Sequence, residues 1–374
     1  LRVLLLHNRY RAEGGEERVV RNIASLIERR GHTVELMERS SSEASRGRAG
    51  RALLRGGEEP EEVGRAVRRL RADVVHAHNL HPLFGWRALA AARAAGARTI
   101  LHLHNFRLFC AIAVAYRAGA PCYRCRGGNT APGVVWRCRG SLTEAAIYAM
   151  GLHNQQPHLF EHADRFVVLS EAHGARLKEL GLPANHTHAV PNFIPDGTFT
   201  AATRANQGEY ALVVGRLVEE KGFDTAIAAA QAAGVPLVVA GVGPDEKRLR
   251  KLARSGDVRF AGWLAEDQLA QARARAAVVL VPSRCEEACP YAVLDSLAAG
   301  LPVLVSDRGG LPELVESESV LPAESAEAWA VVLAKLWADR ARRRTAGQRA
   351  LMTARERFGE NLYYRRLMRV YSGS

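Results

Sequence analysis

Two doubly wound α/β domains, each a parallel sheet flanked by helices, are the fold class this sequence predicts. Three observations carry the prediction. Short apolar runs alternate with amphipathic helical stretches in both halves of the chain. A small, polar, unpatterned stretch at 198–209 separates those halves. The 374 residues exceed one ordinary domain and suit two of roughly 150–200 residues each.

In the first half, Val3 to His7 reads as a strand. Its apolar stretch is too short for an export segment, and no apolar run reaches the roughly 18 residues of a membrane span. A cytoplasmic protein is therefore expected. Glu16 to Arg30 follows as a helix, with Val19, Val20, Ile23, Leu26 and Ile27 on one face and Gly31 as its stop. Thr33 to Met37 is a second strand. Arg39 to Pro60 is polar and rich in Ser, Arg and Gly, and is expected to be a mobile surface connection. Val74–His78, Thr99–His104 and Phe166–Ser170 are further strands, and Ala189–Asn192 closes the half.

The second half repeats the alternation. Ala211–Val214, Leu237–Ala240, Arg259–Gly262, Ala277–Val281 and Val303–Ser306 are strands, and helices between them end at glycines such as Gly234 and Gly300. Glu360 to Tyr371 is an amphipathic helix carrying Leu362, Leu367 and Val370. The expected domains are 1–197 and 206–358, with 359–374 packing back on the first.

Hydrophobic residues make up 48% of the chain, enough for two cores. The formal charge of +13 has three readings: an Arg-rich composition, an anionic membrane surface, or nucleic acid. Only five of the 52 basic residues are Lys, and Arg and Ala dominate even inert-looking faces. That favours composition, keeps peripheral attachment to the inner membrane face in play, and ranks nucleic acid last, so no nucleic-acid partner is expected.

The chemistry concentrates in the second half. Gly215-Arg216-Leu217-Val218-Glu219-Glu220-Lys221-Gly222 follows the apolar run Tyr210 to Val214. It sets Arg216 and Lys221 just past a strand end, on a turn that opens a helix. A strand end facing a helix start is where an open α/β sheet takes anionic ligands. Pro282-Ser283-Arg284-Cys285-Glu286-Glu287-Ala288-Cys289-Pro290-Tyr291-Ala292-Val293-Leu294-Asp295 follows the next such run and spaces Glu287 and Asp295 by eight positions. Two cations suit a diphosphate, and two carboxylates suit sugar hydroxyls. The ordinary alternative is that these are solvated surface charges. It weakens because Ala298-Ala299-Gly300-Leu301-Pro302-Val303 and Gly309-Gly310-Leu311-Pro312-Glu313-Leu314-Val315 follow in order.

Together these segments resemble the retaining glycosyltransferases of family 4. The resemblance implies a GT-B fold, with two Rossmann-like domains facing across a cleft. It also implies transfer of a sugar from a nucleoside diphosphate sugar to a hydroxyl acceptor with retained anomeric configuration. The donor would lie mainly on the second domain, and UDP is expected as its nucleotide. Arg216 and Lys221, beside Gly215, would neutralise the diphosphate, so no catalytic metal is needed. Glu287 would accept hydroxyls of the donor sugar, and backbone N–H groups around Pro290, Tyr291 and Ala292 would meet phosphate. Asp295 would bind the ribose diol, although the family usually has the longer Glu there. The sequence offers no dedicated nucleophile. In the family the departing diphosphate is thought to act as base, while the enzyme orients reactants and stabilises charge.

In the first half, Glu13-Gly14-Gly15-Glu16-Glu17 opens the first helix. By resemblance Gly14 and Gly15 lie beside the donor phosphates and Glu16 beside the acceptor. The ordinary alternative is a strand–helix turn with acids at the helix start. His102-Leu103-His104-Asn105 ends a strand. The resemblance assigns His104 to the donor sugar near its reacting carbon, against the alternative of a hydrogen-bonded core histidine. His76, His78, Asn79 and His81 form another polar cluster at a strand end, and Asn79 and Asn105 are expected to face acceptor. These histidines lack a fixed-spacing metal signature.

Cys110, Cys122, Cys125 and Cys138 fall within 29 residues of Gly-, Arg- and Pro-rich sequence. They could form a tetrahedral Zn2+ site or remain four reduced thiols, and disulfides are disfavoured in a cytoplasmic protein. A Cys-rich subgroup of the family resembles this region, which implies a structural zinc knuckle on the acceptor side. Cys285 and Cys289 read as structural. Two other functions stay open: a GT-B nucleotide-sugar epimerase and a nucleic-acid-associated zinc protein.

Overall fold

The computed structural model describes residues 1–10 and 14–373. Glu13, at the front of the glycine turn, and Ser374, at the end of the 359–374 segment, lie outside the described residues. The chain divides into two compact units. Unit 1 takes Leu1–Ala115, Cys122–Pro191 and the chain from Tyr364 onward, and unit 2 takes Tyr116–Pro121 and Asn192–Tyr363.

Unit 1 begins with β1 (Arg2–Arg9), α1 (Gly15–Arg29) and β2 (Thr33–Ser40). Val3 to Leu6 are wholly buried, as expected of a central parallel strand covered on both faces. All five apolar residues predicted for the inner face of α1 are buried. Next come α2 (Arg46–Arg55), α3 (Pro60–Leu70), β3 (Val74–Ala77), α4 (Gly85–Ala94) and β4 (Arg98–His102). The 39–60 stretch is thus not a bare connection. Ser45 caps α2 by accepting from the Arg48 N–H, Gly56 closes it in a left-handed conformation, and Ala52 and Leu53 are buried. The arginines that make it look like loop lie on a helix surface.

A short hairpin, β5 (Tyr116–Arg117) and β6 (Ala120–Pro121), then belongs to unit 2. Unit 1 resumes with α5 (Ala131–Val135), α6 (Leu142–His162), β7 (Arg165–Val168), α7 (Glu171–Leu180) and β8 (Thr187–Ala189). Its six-stranded sheet has the order β2-β1-β3-β4-β7-β8, with every pairing parallel. The order reverses between β1 and β3. Open α/β sheets bind ligands at such a reversal, outside the carboxyl ends of the strands.

Unit 2 runs β9 (Tyr210–Val214), α8 (Phe223–Ala233), β10 (Leu237–Ala240), α9 (Glu246–Leu252), β11 (Val258–Gly262), α10 (Glu266–Ala274), β12 (Ala276–Val281), α11 (Tyr291–Ala298), β13 (Val303–Ser306), β14 (Val320–Leu321), α12 (Ala326–Ala338) and α13 (Arg340–Phe358). Its parallel sheet has the order β11-β10-β9-β12-β13-β14, reversing between β9 and β12. Val213, Val239, Leu280 and the wholly buried Trp329 belong to its core.

The second unit starts ahead of residue 206. Asn192 donates from Nδ2 to the Cys289 carbonyl at 2.9 Å, and Ala205 is buried with its carbonyl accepting from Arg343 Nε at 3.0 Å. The polar 198–209 stretch is therefore packed against α13 and not a free linker. The last helix, α14 (Glu360–Ser372), starts in unit 2 and from Tyr364 belongs to unit 1. There Leu367, Val370 and Tyr371 are buried, and Tyr371 Oη lies 2.8 Å from His76 Nδ1. No described helix is long and apolar enough to cross a membrane.

Candidate active site

In unit 2, the loops after β9 and β12 meet where the strand order reverses. Lys221, at the end of a single helical turn (Glu219–Lys221), forms an ion pair with Glu287 from the loop after β12. Glu287 Oε1 also accepts from Ser283 Oγ at 2.7 Å, and its backbone carbonyl accepts from the Gly310 N–H at 2.7 Å. The loops touch backbone to backbone. Gly222 is left-handed (φ 66°), and a Cβ there would stand 1.9 Å from the Pro282 carbonyl oxygen. A Cβ on the left-handed Gly309 would stand 2.6 Å from the Glu287 carbonyl oxygen. These glycines are what let the paired side chains sit on converging loops.

Burial opposes charge on both partners, and the pair overrides it. Burial alone would lower the Lys221 pKa, but the Glu287 carboxylate raises it. Burial would raise Glu287, but Lys221, the Ser283 hydroxyl and the charge of Arg216 hold it down. Arg216 itself is exposed, with Nη2 3.4 Å from Glu220 Oε1. Gly215 directly follows β9 and donates its N–H to the Ala240 carbonyl at 3.0 Å. Pro290 caps α11, whose first turn is Tyr291 and Ala292.

Asp295 follows one turn later on α11. It is buried and paired with Arg273, with Oδ2 3.1 Å from Nη2. The short carboxylate expected to meet ribose is thus engaged with an arginine of α10.

In unit 1, a recess at the sheet reversal has a void of about 350 Å³, its solvent-open part included. Glu16, Asn79, His104 and Asn105, all singled out from sequence, line it together. Glu16 Oε2 accepts from Tyr10 Oη at 2.8 Å and lies 3.4 Å from Asn105 Nδ2. Burial raises the pKa of Glu16. The Arg107 guanidinium lies over the Tyr10 ring, 4.9 Å from its centroid. The neighbouring Glu17 ties down the glycine turn, accepting from the Gly14 N–H at 2.8 Å and the Tyr10 N–H at 3.0 Å. Burial would raise its pKa, but these bonds and His7 hold it down at about 2. Gly15 is the first residue of α1.

Two residues meet other demands as well. Asn79 is buried, with Nδ2 donating to the Asn8 carbonyl at 2.7 Å and Oδ1 accepting from the His81 N–H at 3.2 Å. Its amide holds two strand ends in place. His104 Nε2 lies 2.9 Å from His78 Nδ1, and burial pushes both imidazoles well below the ordinary histidine value.

Cys110, Cys122, Cys125 and Cys138 are all half-buried. Burial, then the neighbouring Cys110, Cys138 and Cys122, push the Cys125 thiol up to about 11. Among the described residues no three of these sulfurs come within 4.8 Å of one another as a metal-ligand group. Cys285 and Cys289 are buried.

The sequence reading assigns no role to Ser283, Tyr10 or Arg107, which complete the two clusters. Each stands within two residues of an assigned motif or strand end, which is the signal that could find them. It also gives no hint that the Tyr116–Pro121 hairpin lies beside Glu219, where a Cβ on Gly119 would stand 3.4 Å from Oε1.

Comparison with known proteins accords with this architecture. Residues 199–352 match the family model for glycosyl transferases group 1, and residues 13–197 match that for Glycosyltransferase Family 4. The amylovoran biosynthesis glycosyltransferase AmsK of Erwinia amylovora is 27% identical over 233 residues, 57% of this chain and 57% of that protein. A GDP-mannose-dependent alpha-(1-6)-phosphatidylinositol monomannoside mannosyltransferase of Mycobacterium tuberculosis is 34% identical over 172 residues, 40% of this chain and 45% of that protein. The chain thus spans about half the length of the curated relatives it matches. Among solved structures, the sucrose-phosphate synthase of Thermosynechococcus elongatus superposes with a TM-score of 0.74 at 17% identity, covering 100% of this chain and 99% of that one. HepE of Anabaena, solved with UDP, gives 0.68 at 16% identity, covering 100% of both. With two parallel Rossmann-like sheets and a family match in each half, the chain belongs to glycosyltransferase family 4 and has the GT-B fold.

Proposed function

We propose that the protein is a retaining glycosyltransferase that moves a sugar from a nucleoside diphosphate sugar to a hydroxyl acceptor. The observation that carries this reading is the Lys221–Glu287 pair at the sheet reversal of unit 2, with Arg216 close enough to bias its charges. Lys221 and Arg216 would neutralise the departing diphosphate, and Glu287 would turn from Lys221 toward donor-sugar hydroxyls. Unit 1 would receive the acceptor in the recess lined by Glu16, Asn105 and His104, while the Gly14–Gly15 turn approaches phosphate. Because Asp295 is paired with Arg273, we assign ribose recognition to the loop around it, with Asp295 holding that loop.

The mycobacterial relative is named for GDP-mannose and HepE was solved with UDP, so both nucleotides belong in the test. Thermal stabilisation by UDP and by GDP, set against an oligonucleotide, separates a transferase from a nucleic-acid protein. Donor consumption with and without a hydroxyl acceptor then separates transfer from epimerisation. Failure of both nucleotides to stabilise the folded chain at millimolar concentration would sink the reading.

Two subsidiary proposals accompany it. The four half-buried thiols around Cys125 are soft donors suited to structural Zn2+. The exposed Val135, Trp136, Leu142 and Met150 of unit 1, near Arg137 and Arg139, suit an anionic membrane surface. Liposome co-sedimentation at low salt tests the second.

A further inference from the structure

Beneath the recess of unit 1 lies a cluster of imidazoles that the proposed transfer chemistry does not use. His76 and His78 stand on and just after β3, and His102 ends β4. All three are buried, at 0%, 2% and 1% exposure. One ring nitrogen of each lies within 4.8 Å of the other two. The rings crowd together, with His76 and His102 stacked at a centroid distance of 5.2 Å and His76 and His78 tilted by 34° at 4.4 Å.

The hydrogen bonding of this cluster is incomplete. His76 places Nδ1 2.8 Å from Tyr371 Oη and Nε2 3.2 Å from His102 Nδ1. His78 places Nδ1 2.9 Å from His104 Nε2. His78 Nε2 and His102 Nε2 are buried with no partner among the described residues. Each such orphan has lost its water without compensation unless something meets it. Burial lowers the pKa of all three rings, and a neutral imidazole offers one nitrogen lone pair.

We infer that His76, His78 and His102 form a binding site for a borderline divalent metal ion, Zn2+ in the first instance. Neutral imidazole without carboxylate or thiolate suits Zn2+, Ni2+ and Cu2+ over Mg2+ or Ca2+. Tetrahedral Zn–N bonds of about 2.0–2.1 Å require ligand nitrogens roughly 3.3 Å apart, so small ring shifts close the site. Tyr371 and His104 supply the outer hydrogen bonds that fix ring orientation. His78 and His102 line the recess, which gives the ion a way in and an open fourth position.

The test uses the full chain without a histidine tag. It is stripped with chelator, re-equilibrated with Zn2+ and counted by elemental analysis, beside the double variant His78→Gln/His102→Gln. The intact chain should hold about one ion more than the folded double variant. Cobalt substitution separates this ion from any bound by the cysteines, because only thiolate ligation gives the intense near-ultraviolet charge-transfer band. The double variant should keep that band if the intact chain shows it. Equal metal content in intact and variant chains overturns the proposal. If the double variant does not fold, Cu2+ loaded on the intact chain decides. Nitrogen hyperfine structure from several imidazoles supports the site, and its absence overturns it.

Discussion

Lys221 and Glu287, sixty-six positions apart, form the ion pair that joins the two loops at the sheet reversal of unit 2. Lys221→Ala leaves a carboxylate largely buried and unpaired. It should cost about 1–3 kcal/mol of stability and lower donor turnover about 10²–10³-fold. The double variant Lys221→Met/Glu287→Met separates the two effects. An apolar pair should recover most of the stability but none of the turnover. Chemical denaturation beside a donor-turnover assay reads both.

Glu17 makes stability depend on acid. Its folded pKa of about 2 lies below the ordinary 4.5. The stabilisation is therefore present above pH 4.5 and is lost as the pH falls toward 2. Glu17→Gln should cost about 2–3 kcal/mol at neutral pH. The gap between variant and parent should narrow steadily as denaturation is repeated at lower pH. A constant gap down to the acid limit would contradict the assignment.

The buried Arg273–Asp295 pair separates a structural role from a binding one. Asp295→Asn leaves the guanidinium without its carboxylate and should cost about 3–5 kcal/mol. If Asp295 holds the loop and does not touch ribose, nucleotide affinity at a temperature where the variant is folded should fall only a few-fold. Calorimetric titration with UDP and GDP measures this.

Gly222→Ala adds a methyl where the Pro282 carbonyl oxygen stands 1.9 Å away, in a left-handed backbone. A loss of about 2–4 kcal/mol is expected, together with a larger proportional loss of nucleotide binding than at an exposed glycine such as Gly96. Melting curves with and without nucleotide read both effects.

The strands were legible because buried parallel strands are unbroken apolar runs, as in Val3–Leu6 and Ala276–Val281. Lys221 and Glu287 were legible singly, as members of spaced motifs, although their contact was not. The helix Arg46–Arg55 was hidden by its arginines, even though Ser45 and Gly56 mark its ends. Asn79 shows a different limit: a polar residue at a strand end looks available for ligand until the hydrogen bonds of its amide are known. The ion pair of Asp295 was hidden for the same reason, because Arg273 lies on another helix and no local pattern links them. The proximity of His76, His78 and His102 depends on strand register between β3 and β4, which sequence periodicity does not give.

Because the chain re-enters unit 1 at Tyr364, the sheet that begins at its first strand is complete by Ala189, but its packing stays unfinished through all of unit 2. Arg98 donates to the Tyr371 carbonyl, and His76 meets that tyrosine's hydroxyl. During synthesis those groups wait until the whole of unit 2 has emerged from the ribosome. A fragment cut at Pro191 would expose the floor of its own histidine cluster, and adding 360–373 as a separate peptide should restore its protection from hydrogen exchange.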